Sequence, residues 1–111
     1  MMRVESRPQV FRPQVFVAFL PEVVEVYGDL LPTYLREALS KVIEVDWREL
    51  NRIPKDAVEE FYASAKLHRK SVRVSPEVYE KWAAIPRLLK KRAQYWINQW
   101  LLEKGKELGL L

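Results

Sequence analysis

The stretch Arg69-Lys70-Ser71-Val72-Arg73-Val74-Ser75-Pro76-Glu77-Val78-Tyr79-Glu80-Lys81-Trp82 decides how this chain reads. Val72 and Val74 alternate with Ser71 and Arg73, the period-two pattern of a short strand with one apolar and one polar face. Ser75 is a good N-cap, and Pro76 suits the first helical position, where its missing N–H costs nothing. Glu77 then lies near the positive end of the helix dipole. A polar-faced strand therefore runs straight into a helix.

Working outward, Val78, Tyr79 and Trp82 recur at helical spacing until Pro86, which disfavours helix for Ile85 and ends or kinks the element. A second helix is expected beyond it. Ala93, Trp96, Ile97, Trp100 and Leu101 form its apolar stripe, with Lys90-Lys91-Arg92 before the stripe and Gly105 closing it. Strand, helix, basic turn, apolar helix: this order resembles the ribbon-helix-helix family of DNA-binding proteins. The resemblance covers about a third of the chain, and the interval holding Pro86 and Arg87 is longer than the family's compact turn. It implies a β-ribbon of two paired strands that enters the DNA major groove and touches base edges with its outward side chains. On this chain Arg69, Ser71 and Arg73 match those outward positions, and Val72 and Val74 match the core ones. Lys70, Lys90, Lys91 and Arg92 are the candidate phosphate contacts, the last three because a helix N-terminus favours an anion.

The pattern returns earlier in the chain. Val15-Phe16-Val17-Ala18-Phe19 reads as a strand, and Leu20-Pro21-Glu22-Val23-Val24-Glu25 matches Ser75-Pro76-Glu77-Val78-Tyr79-Glu80 at an offset of 55. A helix with Val23, Val24 and Tyr27 should stop at Gly28-Asp29. Another follows, with Pro32 near its start and Leu35, Ala38, Leu39 and Val42 on its stripe. Leu35, Ala38 and Leu39 parallel Ile97, Trp100 and Leu101 if about seven residues are inserted in the second copy. With two copies, the resemblance is to the tandem ribbon-helix-helix regulators of archaeal viruses. The expected fold is mainly α with a short antiparallel β-ribbon, as one compact tandem ribbon-helix-helix unit. Residues 1–13 form an extended arm, 14–45 the first copy, 46–68 a connecting helix and 69–111 the second copy. The strands near 14–19 and 70–74 should pair antiparallel, within one chain or between two copies in a homo-oligomer.

The segments outside the two copies are less informative. Arg7-Pro8-Gln9-Val10-Phe11 is repeated at once as Arg12-Pro13-Gln14-Val15-Phe16, and its prolines favour an extended arm that could carry Arg3, Arg7 and Arg12 to DNA. Asp46 to Leu50 should end or extend the preceding helix. From Pro54 to about Leu67 a connecting helix places Ala57, Phe61 and Ala65 on one stripe, with Val58 and Tyr62 beside it. The copies also differ in chemistry. Phe16 and Ala18 on the first strand cannot make bidentate base contacts, so one strand reads and the other supports; Phe16 either touches a thymine methyl or is covered by a partner chain.

Composition bounds the function. The chain has 111 residues, 49% hydrophobic, with no cysteine and one histidine, so disulfides, thiolate chemistry and zinc fingers are excluded. No apolar run of membrane length and no secretory leader is read, which points to an intracellular protein without a membrane partner. The net charge of +4 sits in the second half: residues 66–92 hold nine basic residues against Glu77 and Glu80. A polyanion is the natural partner. No nucleophile beside a base, metal cluster or phosphate loop is found, so neither an enzyme nor a cofactor is expected. A DNA-binding transcriptional regulator, such as a repressor, explains both the repeat and the polar strand. Two other readings remain: a single-strand or architectural nucleic-acid binder stacking bases on Trp47, Trp82, Trp96 and Trp100, and a protein-interaction module using the apolar first strand.

Overall fold

A computed structural model describes residues 12–64 and 66–111; the proposed arm before Arg12, with Arg3 and Arg7, and Ala65 of the connecting stripe lie outside the described residues. Strand β1 (Gln14–Phe19) pairs antiparallel with β2 (His68–Arg73), so one chain completes the ribbon by itself. The register joins Gln14 to Arg73, Val15 to Val72, Phe16 to Ser71, Val17 to Lys70, Ala18 to Arg69 and Phe19 to His68. Val74 adds a further bond, its N–H donating to the Pro13 carbonyl at 3.0 Å. Directly opposed residues share a face in such a ladder. The inner face therefore carries Val15, Val17, Phe19 and Val72, which are buried, together with His68 and Lys70, which are exposed.

Each strand feeds a helix through a proline at the first helical turn. Helix α1 (Pro21–Tyr27) follows β1, and α5 (Pro76–Ala84) follows β2. Ser75 caps α5 by accepting from the Val78 N–H at 3.2 Å, whereas Leu20 has no side chain able to do so. Gly28, at φ 52°, takes a backbone conformation that costs other residues strain, and a 3-10 turn over Gly28–Leu30 leads into α2 (Leu31–Val42). Ile85 is extended before Pro86, which breaks α5 from α6 (Arg87–Glu107).

Several sequence expectations need correction. Helix α2 ends at Val42, and Asp46 starts a separate short helix, α3 (Trp47–Asn51), accepting from the Arg48 N–H at 2.8 Å. The connecting helix α4 (Lys55–Ser64) stops before Leu67, and β2 begins at His68. Gly105 does not close α6; it lies inside the helix and is buried, 3.5 Å from Leu111 if given a Cβ. Gly109, at φ 75°, ends it instead. The Leu110 N–H donates to the Gly105 carbonyl and the Gly109 N–H to the Lys106 carbonyl, the paired bonds of a Schellman cap.

The packing is reciprocal. Helices α2 and α6 pack on each other, α1 packs on α6 and α5 on α2, while α2 touches β2 and α6 touches β1. One apolar core results, drawn from both halves: Phe19, Leu35, Leu39, Ile97 and Leu101 are fully buried in it. Each such side chain contributes about 1.5–3 kcal/mol by leaving water. Helices α3 and α4 lie on α6, where the Phe61 ring meets Tyr95 edge-on at 5.8 Å. Among the described residues no helix is long and apolar enough to cross a membrane.

Candidate nucleic-acid interface

The outer face of the ribbon carries Gln14, Phe16 and Ala18 from β1 and Arg69, Ser71 and Arg73 from β2. The structure thus gathers the three residues expected to contact bases on one side of a two-stranded surface whose other side packs Val15, Val17, Phe19 and Val72 on the core. Arg69, Ser71 and Arg73 are exposed, and among the described residues no ion pair or hydrogen bond holds their side chains. Phe16 is 55% exposed at the centre of this face. Ala18 faces outward by register yet is only 6% exposed, because its backbone is covered by α6.

That covering comes from two residues whose role the sequence reading missed. Gln94 Oε1 accepts from the Ala18 N–H at 2.8 Å; Asn98 Oδ1 accepts from the Leu20 N–H at 2.9 Å, and Asn98 Nδ2 donates to the Ala18 carbonyl at 3.0 Å. The free edge of β1 is in this way paired by side chains. On the opposite edge Arg36 Nε of α2 donates to the Arg73 carbonyl at 2.9 Å. Each second helix thereby anchors the other half's strand at an equivalent place, since Ala18 and Arg73 are 55 apart. The donor to the Ala18 carbonyl is Asn98, 62 positions from Arg36, which is the offset of 55 with the seven additional residues expected from the sequence. The signal available in sequence was a carboxamide pair at i, i+4 on an otherwise apolar helix face.

Gln14 is the other omission. It is exposed on the outer face of the ribbon, opposite Arg73 and at the position in β1 that corresponds to Arg69 at the offset of 55. The same offset relates Phe16 to Ser71. These two also pair with each other, so the offset of 55 relates the central rung of the ribbon to itself.

The expected phosphate contacts are dispersed. Lys70 pairs with Val17, so its stem leaves the ribbon from the inner side; it is exposed and lines a groove of about 390 Å³ with Ser71, Gly28, Asp29 and Pro32. Lys90, Lys91 and Arg92 do not precede α6 but lie in it, after Arg87, and the Lys90 N–H is already bonded to the Pro86 carbonyl. Their side chains turn back over neighbouring helices. Lys90 Nζ lies 5.5 Å from the Trp82 ring centre and Lys91 Nζ 5.6 Å from that of Tyr62, while Arg92 Nε donates to the Ile53 carbonyl at 3.2 Å. Arg92 thus ties α6 to the α3–α4 connection.

Of the tryptophans, Trp82 is buried and Trp96 and Trp100 pack against the core; Trp47 is 46% exposed. Burial pushes the Tyr62 hydroxyl up to about 12, with the Arg69 guanidinium pulling the other way, and among the described residues that hydroxyl has no hydrogen-bond partner. Among the described residues no group of acidic, histidine or cysteine side chains could hold a metal ion.

Comparison with known proteins adds no identity: no family model, curated protein or solved structure matches this chain.

Proposed function

We propose that this chain is a double-stranded DNA-binding transcriptional regulator of the tandem ribbon-helix-helix kind, which inserts its ribbon into the major groove. The observation that carries this reading is the outer ribbon face, where Arg69, Ser71 and Arg73 stand exposed while Val15, Val17, Phe19 and Val72 of the opposite face are buried. The B-form major groove admits a two-stranded ribbon, and arginine pairs bidentately with guanine there. The reciprocal packing of each second helix on the other half's strand and first helix supports the tandem reading. A repressor would act by occupying its site on intracellular DNA.

The single-strand alternative draws little support from the aromatics, because Trp82, Trp96 and Trp100 are engaged in packing. Affinities for random duplex, random single strand and a duplex selected from a random library, each at two salt concentrations, test the proposal. The selected duplex should bind tightest, by about a thousandfold or more over random duplex. Equal or tighter binding of single strands would overturn it.

A further inference from the structure

We infer that the chain reads a non-palindromic DNA site, with Gln14 reading bases at one end of the ribbon only. This rests on the DNA-binding reading above and adds the symmetry of the target to it. The backbone of the ribbon repeats about the Phe16–Ser71 rung, but the side chains do not. Exchange of the two halves would bring Gln14 onto Arg69 and Ala18 onto Arg73. One end of the outer face therefore offers Gln14 beside Arg73, both exposed; the other offers Arg69 beside Ala18, which is nearly buried and has no side-chain hydrogen-bonding group.

The ladder geometry sets what each end can address. The Ala18 N–H and C=O bond to α6 and the Arg73 carbonyl bonds to Arg36, so the backbone groups of these residues point off the ribbon. The rungs Gln14–Arg73, Phe16–Ser71 and Ala18–Arg69 are thus the non-hydrogen-bonded ones, with Cα atoms about 4.5 Å apart. That spacing is close to the rise of about 3.4 Å between base pairs, so Gln14 and Arg73 reach neighbouring pairs. A glutamine carboxamide matches adenine N6 and N7, and a guanidinium matches guanine O6 and N7. Arg69 lies four residues from Arg73 on the same strand, about 13 Å or four base-pair steps away. Phe16 at the centre offers only apolar contact, suited to a thymine methyl.

The test is enrichment of duplexes from a random library by the full chain, followed by the same selection with Gln14→Ala. The expected site has adjacent A·T and G·C pairs at one end and a single G·C pair about four steps away, within the span of one ribbon. Gln14→Ala should relax the A·T preference about tenfold and leave the other positions unchanged. Its unfolding transition serves as a folding control, since Gln14 is exposed. A palindromic site within that span, or a Gln14→Ala profile identical to wild type or relaxed at both ends, overturns the inference while DNA binding stands. Failure to enrich any duplex overturns the inference and the proposed function together.

Discussion

Asn98 of α6 donates to the carbonyl of Ala18 in β1 at 3.0 Å, from a side chain with no solvent exposure. The same carboxamide accepts from the Leu20 N–H and donates to the Gln94 carbonyl, so three of its four hydrogen-bonding positions are filled. A buried polar group so placed is costly to remove, because it leaves backbone donors and acceptors without partners. Asn98→Leu should lower the unfolding free energy by about 3 kcal/mol, read from urea midpoints at unchanged slope. A loss below about 1 kcal/mol would mean that water replaces the carboxamide and that the β1 edge does not depend on it.

Arg92 and its two lysine neighbours should separate into different roles. Arg92 bonds the Ile53 carbonyl, so Arg92→Ala should destabilise the fold by about 1 kcal/mol. Lys90 and Lys91 rest on aromatic rings with their charge near the surface. The double variant Lys90→Ala, Lys91→Ala should weaken binding to all duplexes alike and reduce the salt slope by about 0.9 for each phosphate that the lysines neutralise. An unchanged slope would place the phosphate-binding groups elsewhere, with Lys70 the first alternative to test.

Two tyrosines make opposite predictions from the same direction of shift. Burial is the first cause of the rise to about 12 for both Tyr27 and Tyr62. In each case the folded chain holds its proton after the unfolded chain, near 10, has released it. The stability contributed is thus full below about pH 10 and is lost as the pH rises towards 12. Absorbance and circular dichroism followed together should show tyrosinate forming as the chain unfolds. The substitutions differ in sign: Tyr27 donates to the Leu101 carbonyl at 2.6 Å, so Tyr27→Phe should cost about 1 kcal/mol. Tyr62 has a buried hydroxyl without a partner among the described residues, so Tyr62→Phe should be neutral or stabilising by up to about 1 kcal/mol.

What the sequence made legible was local. The Val72 alternation, the Ser75-Pro76 start, the Pro86 break and the Gly28 stop each act through backbone preferences of one or two residues, and each lies where those preferences put it. The antiparallel partner of β2 was legible too, through the offset of 55, because a lone short strand would leave both edges unpaired. What escaped was long-range. Gln94 and Asn98 bond residues 76 to 80 positions away, and no local pattern announces that a carboxamide on an apolar stripe will pair with a strand edge. Gln14 follows the same alternation as Phe16 and Ala18, but that the paired ribbon extends to it is shown only by its partner Arg73. The basic cluster at Lys90 was placed before its helix because Pro86 and Arg87 read as a turn, whereas α6 starts immediately after the proline.

Arg73 tests whether the ribbon reads sequence or only charge. Its backbone and side chain are engaged separately: the carbonyl accepts from Arg36 Nε at 2.9 Å, while the exposed side chain lies on the outer face opposite Gln14. Arg73→Ala therefore leaves the strand anchor in place and should not shift the unfolding transition. Arg36→Ala, by contrast, should cost about 1 kcal/mol by leaving that carbonyl without its donor. If Arg73 pairs with a guanine, its truncation should narrow the gap between a selected and a scrambled duplex by about 1–3 kcal/mol. Arg73→Lys should recover affinity more than discrimination, since an ammonium keeps the charge but loses the planar fork. A phosphate contact would lower affinity equally on both duplexes and reduce the salt slope by about one unit. An unchanged ratio of selected to scrambled affinity, with the fold intact, would remove Arg73 from direct readout and leave Gln14, Arg69 and Ser71 to supply it.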